Sequence, residues 1–442
     1  MKRFLYTLIS LLAFFLLLKS DRLSPVTEEK NKTVTGYEED NLIYPALVNT
    51  FYQRNGGSPA WFSMKTDKSP FREQLLRIMD TAYYFGMVAK KYHYPELRSA
   101  SVAGNTDSAA LIMADRLFTD AAIALFKDIY QGYKMAPWVG YDELSEKAAV
   151  ADNEYLVGCL LKIQTAEQLK EYAASFEPAH PDYIILKNEL RKKKERKDTD
   201  STAKLILSLN YYRWIHHFRF EQFIIVNLPA ARLHYFEKDK LVLEMKTVVG
   251  KPSTPTPRFA TVCNELILYP YWYVPRSITF NEYLPLIKKN PYWLDAHNMQ
   301  VIDGSGKVMN HHALNWSSFH SGYFPYIIRQ STGCDNALGI LKFHIVTPYG
   351  VYLHDTNNKT AFLSGSRFYS HGCIRLEEPI VLGNRLLSGK LDTAFLQSCF
   401  KEQKPITVPL KKPVPVFVVY MPAMADAKGR VIYYKDVYKL VR

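Results

Sequence analysis

The sequence reads YLHDT at residues 352–356 and, after a polar loop, SHGCIR at residues 370–375. The first segment completes a predicted strand that returns from a Thr-Pro-Tyr turn. A strand–loop–strand return of this kind can bring His354 and Cys373 to the same part of a sheet. A thiol nucleophile needs a nearby base to form the thiolate. We therefore predict that Cys373 is a nucleophile and that His354 is its general base and acid.

The residues beside Cys373 predict the rest of such a site. Gly372 lets the backbone approach a bound molecule closely, so the amides near Gly372 and Cys373 are candidates for an oxyanion hole. Arg375 offers a planar fork of donors that suits a carboxylate. The alternative for Cys373 is a buried structural cysteine, which is the usual role of an unpaired cysteine in a protein core.

The cysteine count favours a working thiol. The chain has five cysteines, so at least one stays unpaired if the protein is exported. Cys159 and Cys399 are predicted to lie in the core. Cys334 falls in a loop near the motif, where a disulfide with Cys373 is an alternative that spacing leaves open.

An export signal is predicted at the N-terminus. Lys2 and Arg3 precede an almost unbroken apolar run over residues 4–18. Such a run is typical of a signal peptide or of a short membrane anchor, and we assign residues 1–20 to one of these two. No clear cleavage site separates the two alternatives. Either one predicts that the bulk of the chain lies in the periplasm or cell envelope.

The remaining pattern predicts an α+β fold with two large units. Apolar residues recur at helical spacing over residues 40–190, whereas residues 210–442 contain successive strand patterns of a β-rich, mixed sheet. The basic stretch inside residues 191–209 predicts a linker between the units. Residues 275–327 interrupt the strand pattern and predict a capping or lid insertion, since long excursions from a compact domain are usually functional.

The composition excludes some classes of partner. The net charge of +13 would suit an acidic polymer, but no nucleic-acid motif accompanies it, and we predict no nucleic-acid partner. The cysteine and histidine spacings match no zinc motif, and the pairs at residues 216–217 and 311–312 are isolated. We therefore expect neither a cofactor nor a metal ion.

The two motif segments resemble the L,D-transpeptidase catalytic domain of the YkuD type. That family carries a histidine, a loop and then Ser/Thr-His-Gly-Cys followed by Arg or Asn, which residues 370–375 match throughout. Flanking blocks at residues 249–252, 270–275 and 336–339 resemble its large periplasmic subfamily, typified by YcbB. Residues 40–190 resemble that subfamily's helical scaffold more weakly.

The resemblance implies a function in peptidoglycan biosynthesis and cell shape. Cys373 would attack a tetrapeptide stem, release D-alanine and pass the acyl group to a neighbouring stem as a 3–3 cross-link. The backbone of Asp355 would orient His354. The residues implied in oxyanion or substrate positioning are Tyr352, Ser370, His371, Gly372 and Arg375. Donor and acceptor stem peptides are the implied partners, and carbapenem β-lactams the implied inhibitors.

Three alternatives stay open at this stage. The acyl group could pass to water, which would make the protein an L,D-carboxypeptidase or another cysteine peptidase. A catalytically silent wall-binding scaffold is the third alternative, although the intact His354 and Cys373 argue against it.

The subfamily often carries a separate peptidoglycan-binding module between its two units, for which the linker leaves no room here. Substrate capture would then depend on the scaffold, the lid and the basic surface.

Overall fold

A computed structural model describes residues 41–63, 67–102, 108–133, 136–139 and 142–441. The N-terminal part of the described chain is helical, as predicted. Its helices are α1 (Pro45–Arg54), α2 (Ser69–Asp80), α3 (Tyr94–Val102), α4 (Ser108–Gln131), α5 (Asp142–Leu161), α6 (Ala166–Ser175), α7 (Pro181–Glu195) and α8 (Thr199–His216). Helix α2 begins at Ser69-Pro70, where proline suits the first turn, and it buries Leu75, Ile78 and Met79.

The C-terminal part is built on a closed, mixed β-sheet. Its strands are β1 (Gln222–Asn227), β2 (Arg232–Glu237), β3 (Lys240–Gly250), β4 (Phe259–Leu268), β8 (Leu341–Ile345), β9 (Leu353–His354), β10 (Phe368–Ser370), β11 (Ile374–Leu376) and β12 (Ile406–Val419). The strand order is β10-β3-β11-β9-β8-β4-β12-β1-β2, and a further β2–β3 pairing closes the sheet on itself. Three pairings are parallel, namely β1–β12, β10–β3 and β11–β9. The prediction of an α+β protein with a β-rich mixed sheet is confirmed.

Residues 191–209 do not form the loose linker that the basic stretch predicted. They lie mostly within helices α7 and α8, which pack against the sheet through residues such as Leu190, Leu205 and Leu209. Three lysines occupy the last turn of α7, where positive charge favours the negative end of the helix dipole. Asp198 then caps α8 by accepting a hydrogen bond from the Ser201 amide at 3.1 Å.

The capping subdomain, predicted over residues 275–327, has a small core of its own. Its three-stranded sheet has the order β5-β7-β6, formed by β5 (Trp272–Tyr273), β6 (Met299–Ile302) and β7 (Ile327–Gln330). Its short helices are α9 (Arg276–Ile278), α10 (Leu284–Lys289) and α11 (Trp293–Ala296). Ile287, Leu294 and Val301 are fully buried between these elements. A separate core lets the subdomain pack as a unit beside the main sheet.

Two helices and a two-stranded sheet complete the chain. The helices are α12 (Pro379–Leu386) and α13 (Thr393–Gln397), and the strands are β13 (Ala423–Ala425) and β14 (Val431–Tyr433). In the described part of the chain, no helix has both the length and the hydropathy required to cross a membrane. The predicted leader at residues 1–20 lies outside the described residues.

The positions of the cysteines contradict the prediction for Cys399 and exclude a disulfide between Cys334 and Cys373 in this structure. Cys334 forms a disulfide with Cys399, so it is not paired with Cys373, and Cys399 is partly exposed rather than a core residue. The bond joins positions 65 residues apart, and closing such a loop lowers the entropy of the unfolded chain. Cys159 and Cys263 are free and buried, and Cys373 is a free thiol with partial exposure.

Candidate active site

The pairing of three neighbouring strands brings the predicted catalytic residues to one face of the sheet. Strand β9 lies between β8 and β11, with His354 opposite Lys342 on one side and Arg375 on the other. Directly paired residues point to the same face of a sheet. The next residues along β9 and β11, Leu353 and Ile374, face the main core and are fully buried. Cys373 directly precedes β11, and its thiol lies on the side of His354, because the charges of Lys342 and Arg375 act on both groups.

The imidazole of His354 is oriented by the backbone. Its Nδ1–H donates to the carbonyl of Asp355, which leaves Nε2 as the nitrogen that can accept a proton. The Asp355 amide donates to Leu341 O at 2.8 Å, and its carboxylate accepts from the Ile340 amide at 3.0 Å. Both bonds fix the backbone that carries the acceptor carbonyl.

The turn before β8 fits tightly against Asp355. Gly339 has a positive φ of 61°, and a Cβ at this position would lie 2.2 Å from Asp355 Oδ2. Only glycine fits that backbone conformation and that approach without displacement. Asn336 is buried in the same turn and its side-chain oxygen accepts from the Leu338 amide at 2.7 Å. The block at residues 336–339 therefore supports the orientation of His354.

Burial and neighbouring cations keep His354 neutral. Desolvation is the largest effect, followed by the positive charges of Arg375 and Lys342, and together they lower the pKa of His354 to about 3. The hydrogen bond to Asp355 acts in the opposite direction but is outweighed. A neutral imidazole at neutral pH is the form that can take a proton from a thiol.

Burial also raises the pKa of the Cys373 thiol above its ordinary value, while the backbone of Tyr352 and the charges of Arg375 and Lys342 act in the opposite direction. The thiol donates to the carbonyl of Gly350 with an Sγ–O distance of 3.9 Å. Burial therefore disfavours the charged form of both the thiol and the imidazole.

The loop before Cys373 is closed by the buried hydroxyl of Ser370. This hydroxyl donates to the Cys373 carbonyl at 2.6 Å and accepts from the Gly372 amide at 3.1 Å. The Gly372 amide is therefore occupied, which corrects the expectation that it serves as an oxyanion donor. The Cys373 amide has no hydrogen-bond partner within the described residues and remains the candidate donor.

Residues distant in sequence hold this loop in place through hydrogen bonds. Thr256 accepts from the Gly250 amide at 2.9 Å and donates to the Gly372 carbonyl at 2.8 Å. Tyr438, near the C-terminus, donates to the Gly250 carbonyl at 2.5 Å. Gly372 has a φ of 122°, which residues other than glycine rarely adopt. The nucleophile loop is thus held by the end of β3 and by the C-terminal segment.

His371 connects the motif to the capping subdomain. Its Nε2 lies 2.8 Å from Glu282 Oε1, and both side chains are about half exposed. Glu282 belongs to the π-helical turn Thr279–Tyr283, which follows α9. The predicted positioning role of His371 therefore has a physical partner, because its ring bridges the nucleophile loop and the lid.

Lys342 is a further residue of the site, and no catalytic motif predicted it. Its Nζ lies 3.8 Å from the centre of the Tyr352 ring, and its charge acts on both His354 and Cys373. Within the described residues, neither Lys342 nor Arg375 forms an ion pair. Alternation along β8 places Lys342 on the other face of the strand from Phe343, which faces the core. Only the pairing of β8 with β9 shows that Lys342 lies next to His354.

Two segments of the chain match known protein families. Residues 221–408 match the L,D-transpeptidase catalytic domain, YkuD, and residues 46–190 match the Scaffold domain. Residues 221–408 therefore form a catalytic domain of the L,D-transpeptidase family, and residues 46–190 a Scaffold domain. The family predicted from residues 370–375 is therefore confirmed. The first match includes β8, β9 and β11, so His354 and Cys373 both lie within the matched domain.

Relatives of this protein include a Haemophilus influenzae protein named "Putative L,D-transpeptidase". The two chains are 27% identical over 422 residues, which cover 93% of this chain and 83% of the relative. An L,D-transpeptidase structure from Mycobacterium smegmatis is 16% identical, covers 45% of this chain and 58% of its own, and has a TM-score of 0.23. The Enterococcus faecium catalytic domain acylated by ertapenem is 16% identical over 45% of this chain and 97% of its own, with a TM-score of 0.22.

Because the imidazole of His354 is buried and neutral, we expect the free energy of unfolding of this protein to depend on pH. Below its ordinary pKa of about 6.5, His354 takes up a proton in the unfolded chain, but in the folded chain it does so only near pH 3. Its contribution to stability is therefore complete above pH 6.5 and is lost as the pH falls towards 3. In that window we expect wild type to lose about 1.4 kcal/mol per pH unit relative to His354→Gln.

Urea unfolding of both proteins at about pH 7 and about pH 4.5 measures this difference. Other titrating groups are common to the two proteins and cancel in the comparison. Parallel stability curves would show that His354 is not a buried neutral group.

Proposed function

We propose that this protein is a peptidoglycan L,D-transpeptidase in which Cys373 is the nucleophile and His354 the general base and acid. The observation that carries the proposal is the shared sheet face of these two residues, with Nδ1 of His354 bonded to the Asp355 carbonyl. This arrangement leaves Nε2 free to exchange a proton with a thiol. The family match of residues 221–408 supports the same reaction class.

The first half-reaction transfers the acyl group to the enzyme. Nε2 of His354 takes the thiol proton as Cys373 Sγ bonds to the carbonyl carbon of the third stem residue. The developing oxyanion is stabilised by the free amide of Cys373. The bond to D-alanine then breaks, and the imidazolium returns the proton to the departing amine. A thioester on Cys373 and free D-alanine are the products.

The second half-reaction forms the cross-link. An amine of a neighbouring stem attacks the thioester carbonyl while His354 takes one of its protons. Collapse of the intermediate breaks the carbon–sulfur bond, forms the new amide and returns the proton to Cys373 Sγ. Because the imidazole has a low pKa, it is present in the accepting form at the start of each half-reaction.

The charges around the site suit a stem peptide that carries carboxylates. Arg375 and Lys342 flank His354 on the same face, and burial lowers the pKa of both groups. An unpaired, partly buried guanidinium favours a carboxylate partner. The capping subdomain, linked to the motif by the His371–Glu282 contact, would cover the bound stem.

The cellular setting forms part of the proposal. The apolar leader would place the enzyme in the periplasm, either released or anchored at residues 1–20, and the reaction would contribute to cell-wall biogenesis and cell shape. Carbapenems would inhibit it by acylating Cys373, because their strained lactam carbonyl presents an electrophile to the same thiol. No cofactor or nucleic acid is required by the reaction.

A product assay tests the function directly. The purified protein is incubated with disaccharide-tetrapeptide, and the products are identified by mass spectrometry. We expect release of D-alanine and formation of 3–3 linked dimers. A matched substrate with a terminal L-alanine serves as the control and should remain unchanged.

The other outcomes assign the alternatives. Tripeptide without dimer would mean that water accepts the acyl group, which identifies an L,D-carboxypeptidase. Unchanged tetrapeptide would identify a silent scaffold and would contradict the proposal. Dimers that retain the terminal D-alanine on the donor would contradict the acyl-transfer chemistry.

A further inference from the structure

A second group of functional side chains lies in the capping subdomain, on segments that carry neither Cys373 nor His354. Asp295 belongs to α11, while His311 and His312 begin the 3₁₀ turn His311–Ala313. Asp295 Oδ1 lies 3.1 Å from His311 Nε2, and Asp295 Oδ2 lies 3.1 Å from His312 Nε2. One ligand atom from each of the three residues lies within 4.8 Å of the others.

These distances fit a first-row transition metal. Zinc binds imidazole nitrogen and carboxylate oxygen at about 2.0–2.2 Å, so tetrahedral ligands lie about 3.3–3.5 Å apart. The observed separations need only small side-chain adjustments to reach that geometry. Two imidazoles with one carboxylate favour Zn²⁺, Ni²⁺ or Cu²⁺ over Mg²⁺ and Ca²⁺, which prefer oxygen ligands.

His311 supplies an independent indication of a ligand. Its Nε2 is buried and makes no hydrogen bond within the described residues, although Asp295 Oδ1 lies 3.1 Å away. A buried polar atom without a hydrogen bond carries a desolvation cost. A metal ion held between His311 and Asp295 would remove that cost.

The local backbone holds both rings in position. The side chain of Asn310 accepts from the His312 amide at 3.2 Å, and the Trp316 indole donates to the His311 carbonyl at 2.8 Å. The two imidazole rings lie side by side with centroids 4.2 Å apart, although the side chains of consecutive residues usually point in different directions. Both rings are thus directed at one carboxylate before any ion binds.

We propose that Asp295, His311 and His312 bind a divalent transition metal of the zinc class. The ion would join α11 to the loop that follows β6, and so would tie together two halves of the capping subdomain. Three protein ligands leave one position for water. The subdomain also carries Glu282, which contacts His371 of the nucleophile motif. The ion would therefore stabilise the lid and does not depend on which acceptor the enzyme uses.

Metal titration of the full protein tests this site. The protein is stripped of metal by dialysis against a chelator and titrated with Zn²⁺ alone by calorimetry. We expect about one ion per chain for wild type, and binding weakened more than about 100-fold by His312→Gln. His320→Gln is the matched control, because His320 is an exposed histidine of the same subdomain outside the cluster. It should bind as wild type does.

A second variant and a second measurement complete the design. Asp295→Asn removes the charge with little change of shape, and should lose binding while its circular dichroism stays unchanged. Zn²⁺ should raise the melting temperature of wild type and His320→Gln but not that of either ligand variant. The titration is repeated with Cys373→Ala, so that zinc held by the reactive thiol is not counted.

Two results would overturn the proposal. One is the absence of zinc binding to stripped wild type, which would leave the cluster as a pair of histidine–aspartate contacts. The other is zinc binding that persists unchanged in both His312→Gln and Asp295→Asn. Neither result would affect the transpeptidase assay, because the two sites use different residues.

Discussion

Cys373→Ala is expected to abolish covalent acylation by a carbapenem and to reduce 3–3 cross-linking by more than about 10³-fold. Alanine retains the backbone of the loop but has no atom that can bond to the acyl carbon. The amide that stabilises the oxyanion remains, so substrate binding alone should persist. Intact-mass spectrometry after incubation with a carbapenem measures the adduct, and the muropeptide assay measures the cross-link.

A cysteine control separates this effect from general thiol loss. Cys159 is free but buried in the helical unit, so Cys159→Ala should retain one adduct at wild-type rate. Unchanged melting of Cys373→Ala would show that the loss is chemical. An adduct of the same mass on Cys373→Ala, or wild-type protein that stays unmodified, would refute the role of this cysteine.

His354→Gln is expected to lower the acylation rate at neutral pH by about 10²–10⁴-fold. Glutamine can still donate a hydrogen bond to the Asp355 carbonyl, but it cannot accept the thiol proton. Burial raises the pKa of the Cys373 thiol, so little thiolate forms at neutral pH without a base. The rate constant for carbapenem acylation, followed by stopped-flow absorbance, is the measurement.

The pH profile distinguishes a proton acceptor from a merely structural residue. If His354 removes the proton, the deficit of His354→Gln should shrink as the pH rises and the thiol ionises without help. A purely structural loss would stay constant across the same pH range. A variant with wild-type acylation at neutral pH would contradict the assignment of the base.

The local patterns of the sequence were enough for much of the fold. The division into a helical part and a β-rich part was predicted correctly, because helical periodicity and strand alternation are short-range signals. Residues 191–209 were misassigned, because charge indicated exposure while the apolar residues of α8 were already at helical spacing.

The candidate site divides in a similar way. Residues 370–375, His354 and the flanking blocks together predicted the family. The same motif predicted Cys373 as the nucleophile, because a reactive thiol needs a specific chemical setting that a short motif can carry. The sequence could not show that Ser370 occupies the Gly372 amide, because that bond depends on how the loop turns. The same limit applies to Lys342, whose neighbours are set by strand register.

By itself the sequence determined the family of the catalytic domain and the division of the chain into a helical and a β-rich part, and it predicted Cys373 and His354 as the reactive pair. Only the tertiary structure decided which charges flank His354, that Cys334 pairs with Cys399, and that Asp295 meets two histidines. The physical reason is the distance along the chain over which each kind of signal acts. Periodicity and motifs act over a few residues, whereas contacts between distant segments arise from strand register and packing of the whole core.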